Sequence, residues 1–534
     1  MSFRTWIQRK RDQRRYLPPL ATWLVVALFL VGLAYFRFND SLDSGMANVM
    51  SFICVMASVI TVVSWYAIFS AFGFVGRMLP LATIVLGTVL FLSLIEVRRW
   101  SGSMVPELAW RWQPQAHERL DNPAGTGTNN VDLLTETADD YPGFLGPSRN
   151  ATLTDLKLGR DWRTTPPKQL WRQTIGAGWC AFAARNAVAV TMEQRGDEEL
   201  VTCYDIATGT LLWSRGEHAR HETALGFVGP RSTPTIHQGR VYAVGATGIV
   251  RCLEGASGEL VWRRDLLADM GTTHEEEMKG IAWGRSGSPL VFQEKLIIPY
   301  GGPPDGPTAS LAALNLETGE TIWTGGSHQI AYASPQLLTL GGMEQIVIVS
   351  QDYVTAHDPY DGAQLWEHPW PGRSNANASV SQPVGIDDQH VFLSKGYSHG
   401  AELLRVGRND DGRWKVESLW HKANVMKTKL TNVVVRDGYV FGIDDGIMSC
   451  IDMSNGRKMW KSGRYGHGQI VLIDDVILVQ AEDGRLLLIE ANPKKLMELA
   501  ELQAIQGQTW NNPCVYGKRV LVRNSEEAAC YELP

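Results

Sequence analysis

Clustered positive charge is missing from most of this chain. The first 99 of its 534 residues hold ten basic and four acidic side chains, a net +6, and the remainder carries −12 within a total of −6. An acidic globular part offers nothing to a phosphate backbone, so nucleic-acid binding is excluded. No nucleophile elbow, phosphate loop or kinase sequence set is present either. Cysteine is sparse, with seven residues and no adjacent pair. No Leu-x-x-Cys lipobox stands near the start, so lipid anchoring is not indicated. The first apolar run is too long for a cleaved signal peptide and lacks an obvious cleavage motif.

Long hydrophobic runs, by contrast, are concentrated at the start. Residues 17–36, 46–72 and 78–95 are apolar and contain no ionisable side chain. Twenty residues rising about 1.5 Å each cross a hydrocarbon core of about 30 Å. Buried charge usually marks transport or proton relay, so these runs read as a plain anchor of three transmembrane helices over residues 17–99. The basic cluster Arg4, Arg9, Lys10, Arg11, Arg14 and Arg15 belongs in the cytoplasm. Residues 1–16 therefore read as a basic cytoplasmic tail. Three crossings then place everything after Val97 outside, and Arg77 falls in an inner loop. Residues 100–140, including the turn-rich stretch 121–130, read as a linker.

From about residue 168 one pattern recurs. Its clearest copy is Cys203-Tyr-Asp205-Ile-Ala-Thr208-Gly209-Thr-Leu-Leu-Trp213. Four more copies keep the spacing: Cys252 to Trp262, Ala313 to Trp323, Ala356 to Trp366 and Cys450 to Trp460. The unit reads as a hairpin. A small residue sits on a strand between close-packed sheets, and an Asp, Glu or Asn caps the turn. Gly supplies positive φ, and Trp docks its large surface between neighbouring sheets. Upstream of each unit lies another hairpin, as in Ser232-Thr-Pro-Thr, Ser288-Pro-Leu, Asn432-Val-Val and Asn512-Pro-Cys. Two hairpins make a four-stranded blade of about 40–50 residues.

Blade ends fall at Trp213, Trp262, Trp323, Trp366, a weaker Trp420, Trp460 and a degenerate copy near Leu499. The chain ends on Ala529-Cys-Tyr-Glu-Leu533, a unit without its Trp strand. Lys168-Gln-Leu-Trp171-Arg172 is free to supply that strand, which closes an eighth blade and removes the sheet edges. Seven blades is the alternative count. The expected fold is an all-β, eight-bladed propeller over residues 141–534. Cys203, Cys252, Cys450 and Cys530 occupy the small-residue position in separate blades, so a disulfide framework or zinc site is not expected.

The eleven-residue unit resembles the tryptophan-docking repeat of pyrroloquinoline-quinone (PQQ) dependent alcohol dehydrogenases and of BamB-like propellers of outer-membrane protein assembly. Tyr141-Pro-Gly-Phe-Leu-Gly-Pro-Ser-Arg149, Pro166-Pro-Lys-Gln-Leu-Trp171 and Gly507-Gln-Thr-Trp-Asn-Asn-Pro513 strengthen the likeness to PQQ-binding-like repeat proteins. It covers residues 141–534 and implies a quinoprotein-like fold. One fold hosts enzymes and scaffolds alike. A dehydrogenase of this kind would need Ca²⁺ held by carboxylate and amide oxygens, an Asp base and a Trp floor. Many also carry two adjacent cysteines, which this chain lacks.

Polar and aromatic side chains gather in the segments preceding each blade's first strand, which face one mouth of the central channel. Arg231, Arg285, Tyr332, Asn375, Lys429, His467, Trp510 and Asn511 are the candidate ligand-binding residues there. Such a ring suits an anionic or quinone-like ligand, and equally a solvated rim. No catalytic residue is assigned. His218, His221 and Glu222 invite a metal reading, but no third ligand is identifiable, so no metal is expected. The acidic pairs Asp387-Asp388, Asp410-Asp411, Asp444-Asp445 and Asp474-Asp475 read as turn formers.

The leading functional reading is a non-enzymatic interaction or scaffold module. It would sit on a bacterial inner membrane with its propeller in the periplasm and a protein or envelope component as partner. No cofactor is assigned. The alternative is a PQQ-dependent alcohol or sugar dehydrogenase, with PQQ and Ca²⁺. A sensor is disfavoured, since residues 1–16 hold no domain.

Overall fold

Every eleven-residue unit becomes the third strand, turn and fourth strand of a blade. In this computed structural model, which describes residues 16–39, 42–123, 130–371 and 378–534, eight antiparallel sheets follow one another. The first holds Ala183–Arg185, Val188–Arg195, Glu198–Asp205 and Leu211–His218. Blades 2 to 7 occupy residues 235–265, 290–325, 336–369, 384–422, 434–464 and 469–503. Blade 8 joins residues 514–532 to Lys168–Thr174, with Cys530 opposite Trp171. The ring is thus sealed by a strand from the other end of the propeller sequence.

Register explains the small residue of the unit. Cys203 lies across from Trp213, Cys252 from Trp262, Ala313 from Trp323, Ala356 from Trp366 and Cys450 from Trp460. Directly opposed side chains share a face, so a small partner leaves room for the indole. Apart from Trp366, each indole leans onto the turn of the next blade. A Cβ on Gly258 (φ +74°) would come within 2.6 Å of the Trp213 ring, so glycine is needed there for space as well as for its dihedral. Trp171, Trp213, Trp262, Trp420 and Trp460 donate Nε1–H to carbonyls of the following blade at 2.8–2.9 Å. Trp366 is different. Blade 5 lacks the unit's turn, and Trp366 donates to Gln345 Oε1 within its own sheet. The caps form as the pattern requires, Asp205 Oδ1 accepting from Thr208 N at 2.8 Å. All seven cysteines are buried and unpaired.

Strand polarity sorts the connections. Segments joining one blade's fourth strand to the next blade's first, and the turns between second and third strands, lie on one face, here the loop face. The other turns lie on the opposite, turn face. First strands of neighbouring blades touch one another, so they line the axis.

Residues 1–114 form a separate unit. Its helices α1 (Leu20–Phe38), α2 (Ser44–Phe69) and α3 (Phe74–Leu94) are long and apolar enough to cross a membrane. A hairpin, Ile95–Trp100 with Pro106–Trp110, follows α3 directly. Within the stretch read as a linker, residues 131–140 dock on the propeller. Leu133 is buried, and Val131 N donates to Ala256 O at 3.3 Å. The basic tail, except Tyr16, lies outside the described residues.

Candidate functional site

A polar residue precedes almost every first strand, and these residues bond to one another around the axis. Ala181 N donates to Thr233 Oγ1, Thr233 N to Ser288 Oγ and Ser288 N to Ser334 Oγ, at 2.9–3.0 Å. Gln382 Nε2 reaches back to Ser334 O at 3.2 Å, while its backbone N–H donates to Asn432 Oδ1 at 2.8 Å. Gln469 Nε2 bridges Leu430 O and Trp510 O at 2.7 and 2.8 Å. Asn511 Nδ2 closes the circuit onto Gly178 O and Cys180 O at 3.1 and 2.7 Å. Every blade is linked to both neighbours. Asn511, a candidate ligand group by sequence, is a fully buried member of this ring.

On the turn-face side of the ring the channel is filled by the chain itself. Residues 141–153 cross it from blade to blade. Tyr141 bridges Ala184 of blade 1, and Pro142 O accepts from Ile236 N of blade 2. Arg149 donates to Pro289 O, Ser288 O and Pro335 O of blades 3 and 4 at 2.9–3.2 Å. Leu145 packs with Val434 and Phe441 of blade 6, and Thr152–Leu153 pairs in parallel with Leu472 and Ile473 of blade 7. Burial pushes the Arg149 guanidinium down to about 10. A cavity of about 260 Å³ remains beside this plug, lined in part by Leu145, Arg149, Leu338, Gln382 and Ile386. That is below the range of about 300–1,000 Å³ usual for ligand pockets.

The loop-face mouth is closed by side chains instead. Trp179, Phe227 and Trp510 pack with ring centroids 4.9–5.9 Å apart. Trp510 Nε1 donates to Glu482 Oε1 at 2.9 Å, and His467 N donates to Glu482 Oε2 at 2.9 Å. Across the mouth Trp283 stacks on Tyr332 at 4.9 Å, with Tyr397 at 6.5 Å from Trp283. Burial pushes the Tyr332 phenol up to about 12. Between the two groups the Arg231 guanidinium donates to carbonyls of Gly226, Phe227 and Gly229, curling that loop around itself. Phe227 is held there at φ +59°, and burial pushes Arg231 down to about 9. Beside it His221 Nδ1 lies 3.0 Å from His274 Nε2, both rings held neutral. Burial, Arg231 and His274 together press His221 down to about 2.

Other charges at this mouth are spent on one another. Arg285 pairs with Glu277 and Arg251 with Glu199, all four side chains being buried. Lys429 Nζ lies 3.2 Å from Asp445 and Lys461 Nζ 3.2 Å from Asp444. Asp444 and Asp445 therefore hold a buried ion cluster, although Asp445 (φ +51°) also turns the chain. His218 stands apart on the surface beside Glu198. Asn375 lies outside the described residues.

The structure thus gathers Arg231, Tyr332, Lys429, His467 and Trp510 around one mouth, and puts Arg285 and Asn511 into internal bonds. Trp179, Phe227, Tyr397 and Glu482 were not singled out by sequence. A signal existed for the aromatics, because Trp179, Phe227, Trp283, Tyr332, Trp370, Tyr465 and Trp510 put a ring into seven of the eight connecting segments. Among the described residues no three of His, Cys, Asp and Glu converge as a metal site. Ca²⁺ takes six to eight oxygens, several from carboxylates. The carboxylates here already face cations or N–H donors, and Asn432 spends its amide oxygen in the ring. Gln382, Gln469 and Asn511 spend only their N–H groups and keep buried oxygens with no hydrogen-bond partner among the described residues. Amide oxygens are thus on offer, but among the described residues no set of carboxylates converges on them to complete a Ca²⁺ shell.

Blades, closing strand and channel define an eight-bladed propeller of the quinoprotein type. The chain belongs to the family described as outer membrane protein assembly factor BamB, which matches residues 164–303 and 197–462. BamB of Shewanella oneidensis is 22% identical over 368 residues, covering 67% of this chain and 87% of that protein. The crystal structure of BamB from Moraxella catarrhalis matches 69% of this chain and 100% of its own at 14% identity, with a TM-score of 0.46. Quinohemoprotein alcohol dehydrogenase from Comamonas testosteroni matches 76% of this chain and 83% of its own at 13% identity, with a TM-score of 0.51.

Proposed function

We propose that this chain is a membrane-anchored, non-enzymatic interaction module of the bacterial cell envelope, binding a protein partner at the loop face of its propeller. The observation that carries this reading is the state of the channel. One end is filled by residues 141–153, and the other presents aromatic rings over charges held by one another or, for Arg231, by backbone carbonyls, a surface suited to a protein partner. Family membership supports an assembly role, and the three apolar helices support an integral anchor in the inner membrane. The basic cluster before α1 supports a cytoplasmic N-terminus and a periplasmic propeller.

A photo-cross-linking residue placed at Trp283 on the loop face should trap a specific envelope protein in intact membranes, whereas one at Asp361 on the turn face should not. Equal yields from both positions would count against the assignment. The quinoprotein alternative, resting on shared fold, is tested separately. The full chain is incubated with PQQ and Ca²⁺ and assayed with a dye acceptor over a panel of alcohols and sugars. Dye reduction that disappears without PQQ would overturn the scaffold reading.

A further inference from the structure

The hairpin after α3 is amphipathic, and most of its apolar side is exposed. Pairing puts Ile95 with Trp110, Val97 with Leu108 and Trp100 with Pro106 on one face, and Glu96 with Ala109 and Arg99 with Glu107 on the other. Val97, Leu108, Trp110 and Trp112 are 47–65% exposed, and the last two indoles stack at 5.0 Å. A lone two-stranded hairpin is marginal in water, so this one needs a supporting surface.

Its position is fixed by the helices. Arg111 N donates to Leu94 O, and Arg111 Nη2 to Leu92 O, both at 3.1 Å, which caps the end of α3. At its tip, Ser103 O accepts from Asn48 Nδ2 at 2.7 Å, and Ser103 Oγ lies 3.0 Å from Ser44 Oγ. The hairpin therefore bridges the C-terminus of α3 and the N-terminus of α2, on one side of the helical unit. Leu92 is still exposed and apolar, and Ile95 follows three residues later, about 4.5 Å along the axis.

We propose that residues 95–112 lie in the interfacial layer of a phospholipid bilayer. Val97, Leu108, Trp110 and Trp112 would rest among headgroups and the tops of acyl chains, with Glu96 and Glu107 turned to water. Indoles favour that layer because one end of the ring is apolar and the other donates a hydrogen bond. Zero spacing from an apolar helix, the cap by Arg111 and an exposed apolar face all indicate lipid as the occupant. The inference rests on the membrane reading of the three helices, and its test separates the two.

The seven native cysteines are buried, so an exposed cysteine in the full chain takes a nitroxide label selectively. Leu108→Cys, Glu107→Cys and, on α3, Leu86→Cys are each labelled in phosphatidylcholine nanodiscs. Collisions with oxygen, which concentrates in lipid, are compared with those of a water-soluble nickel complex. The expected oxygen-to-nickel ratio is highest at position 86, several-fold higher at 108 than at 107, and lowest at 107. A high ratio at 86 with equal, water-like ratios at 107 and 108 would overturn the interfacial hairpin alone. So would a label at 108 shielded from both reagents, which would mean that protein covers it. A water-like ratio at 86 would overturn the membrane anchor itself.

Discussion

At the turn-face end of the channel the closing groups are backbone amides and one half-buried arginine, whereas at the loop-face end they are side chains. The difference is one of tolerance. Residues 141–153 bond to main-chain groups of several blades, and a buried carbonyl left without its donor costs about 1–3 kcal/mol. The loop-face mouth is built from stacked rings, ion pairs and a curled loop, each replaceable singly. Under the proposed scaffold role, this division would keep the channel shut while leaving the loop-face surface free to vary.

The largest effect should come from breaking the plug. Arg149→Ala takes the donor from Ser288 O and Pro335 O, while Pro289 O keeps the Thr235 hydroxyl, and should lower the unfolding free energy of the full chain by about 3 kcal/mol. Arg149→Lys reaches fewer of them and should fall between. Urea midpoints at constant slope measure both. A loss under about 1 kcal/mol for Arg149→Ala would mean that backbone pairing alone holds the segment.

Acid should act first at the other end. The His221 ring is held neutral in the folded chain, with its value pressed from 6.5 down to about 2. Between those values the unfolded chain binds a proton at this site that the native one refuses. The stability is therefore complete above pH 6.5 and drains as pH falls toward 2. At pH 5 the loss through His221 amounts to about 2 kcal/mol. His221→Gln removes the titration and should flatten the fall in urea midpoint between pH 7.5 and pH 5. An unchanged pH profile would show that the pair with His274 opens without cost.

Much of this was legible beforehand, for a physical reason. The blade units are local, with cap, turn glycine and Trp all inside eleven residues, so their spacing survives in the sequence. The closing strand could be found because an unpaired sheet edge is costly and only Lys168–Thr174 was free to cover it. The plug was visible only as a family likeness at residues 141–149. It has no periodicity, and its partners lie up to about 320 residues away, at Leu472. Asn511 was expected at the mouth as a ligand group because a polar residue before a strand has the same composition whether it faces solvent or bonds to the next blade. Asp444-Asp445 read as a turn for the same reason. Its lysine partners, Lys427, Lys429 and Lys461, sit on other segments that only the fold brings near.

The smallest effect sharpens the contrast most. Trp510→Phe keeps most of the ring surface against Trp179 and Phe227 but removes the N–H that Glu482 accepts, and His467 N still faces that carboxylate. The expected cost is about 1 kcal/mol, the net worth of one hydrogen bond. Trp323→Phe on the outer girdle should cost less still, because Trp323 Nε1 has no partner among the described residues. Partner capture should order the two variants differently. If the loop face is the docking surface, Trp510→Phe weakens cross-linking from position 283, while Trp323→Phe leaves it unchanged. Equal capture by both would mean that the mouth aromatics close the channel and contribute nothing to recognition, leaving the two ends alike in purpose although they differ in construction.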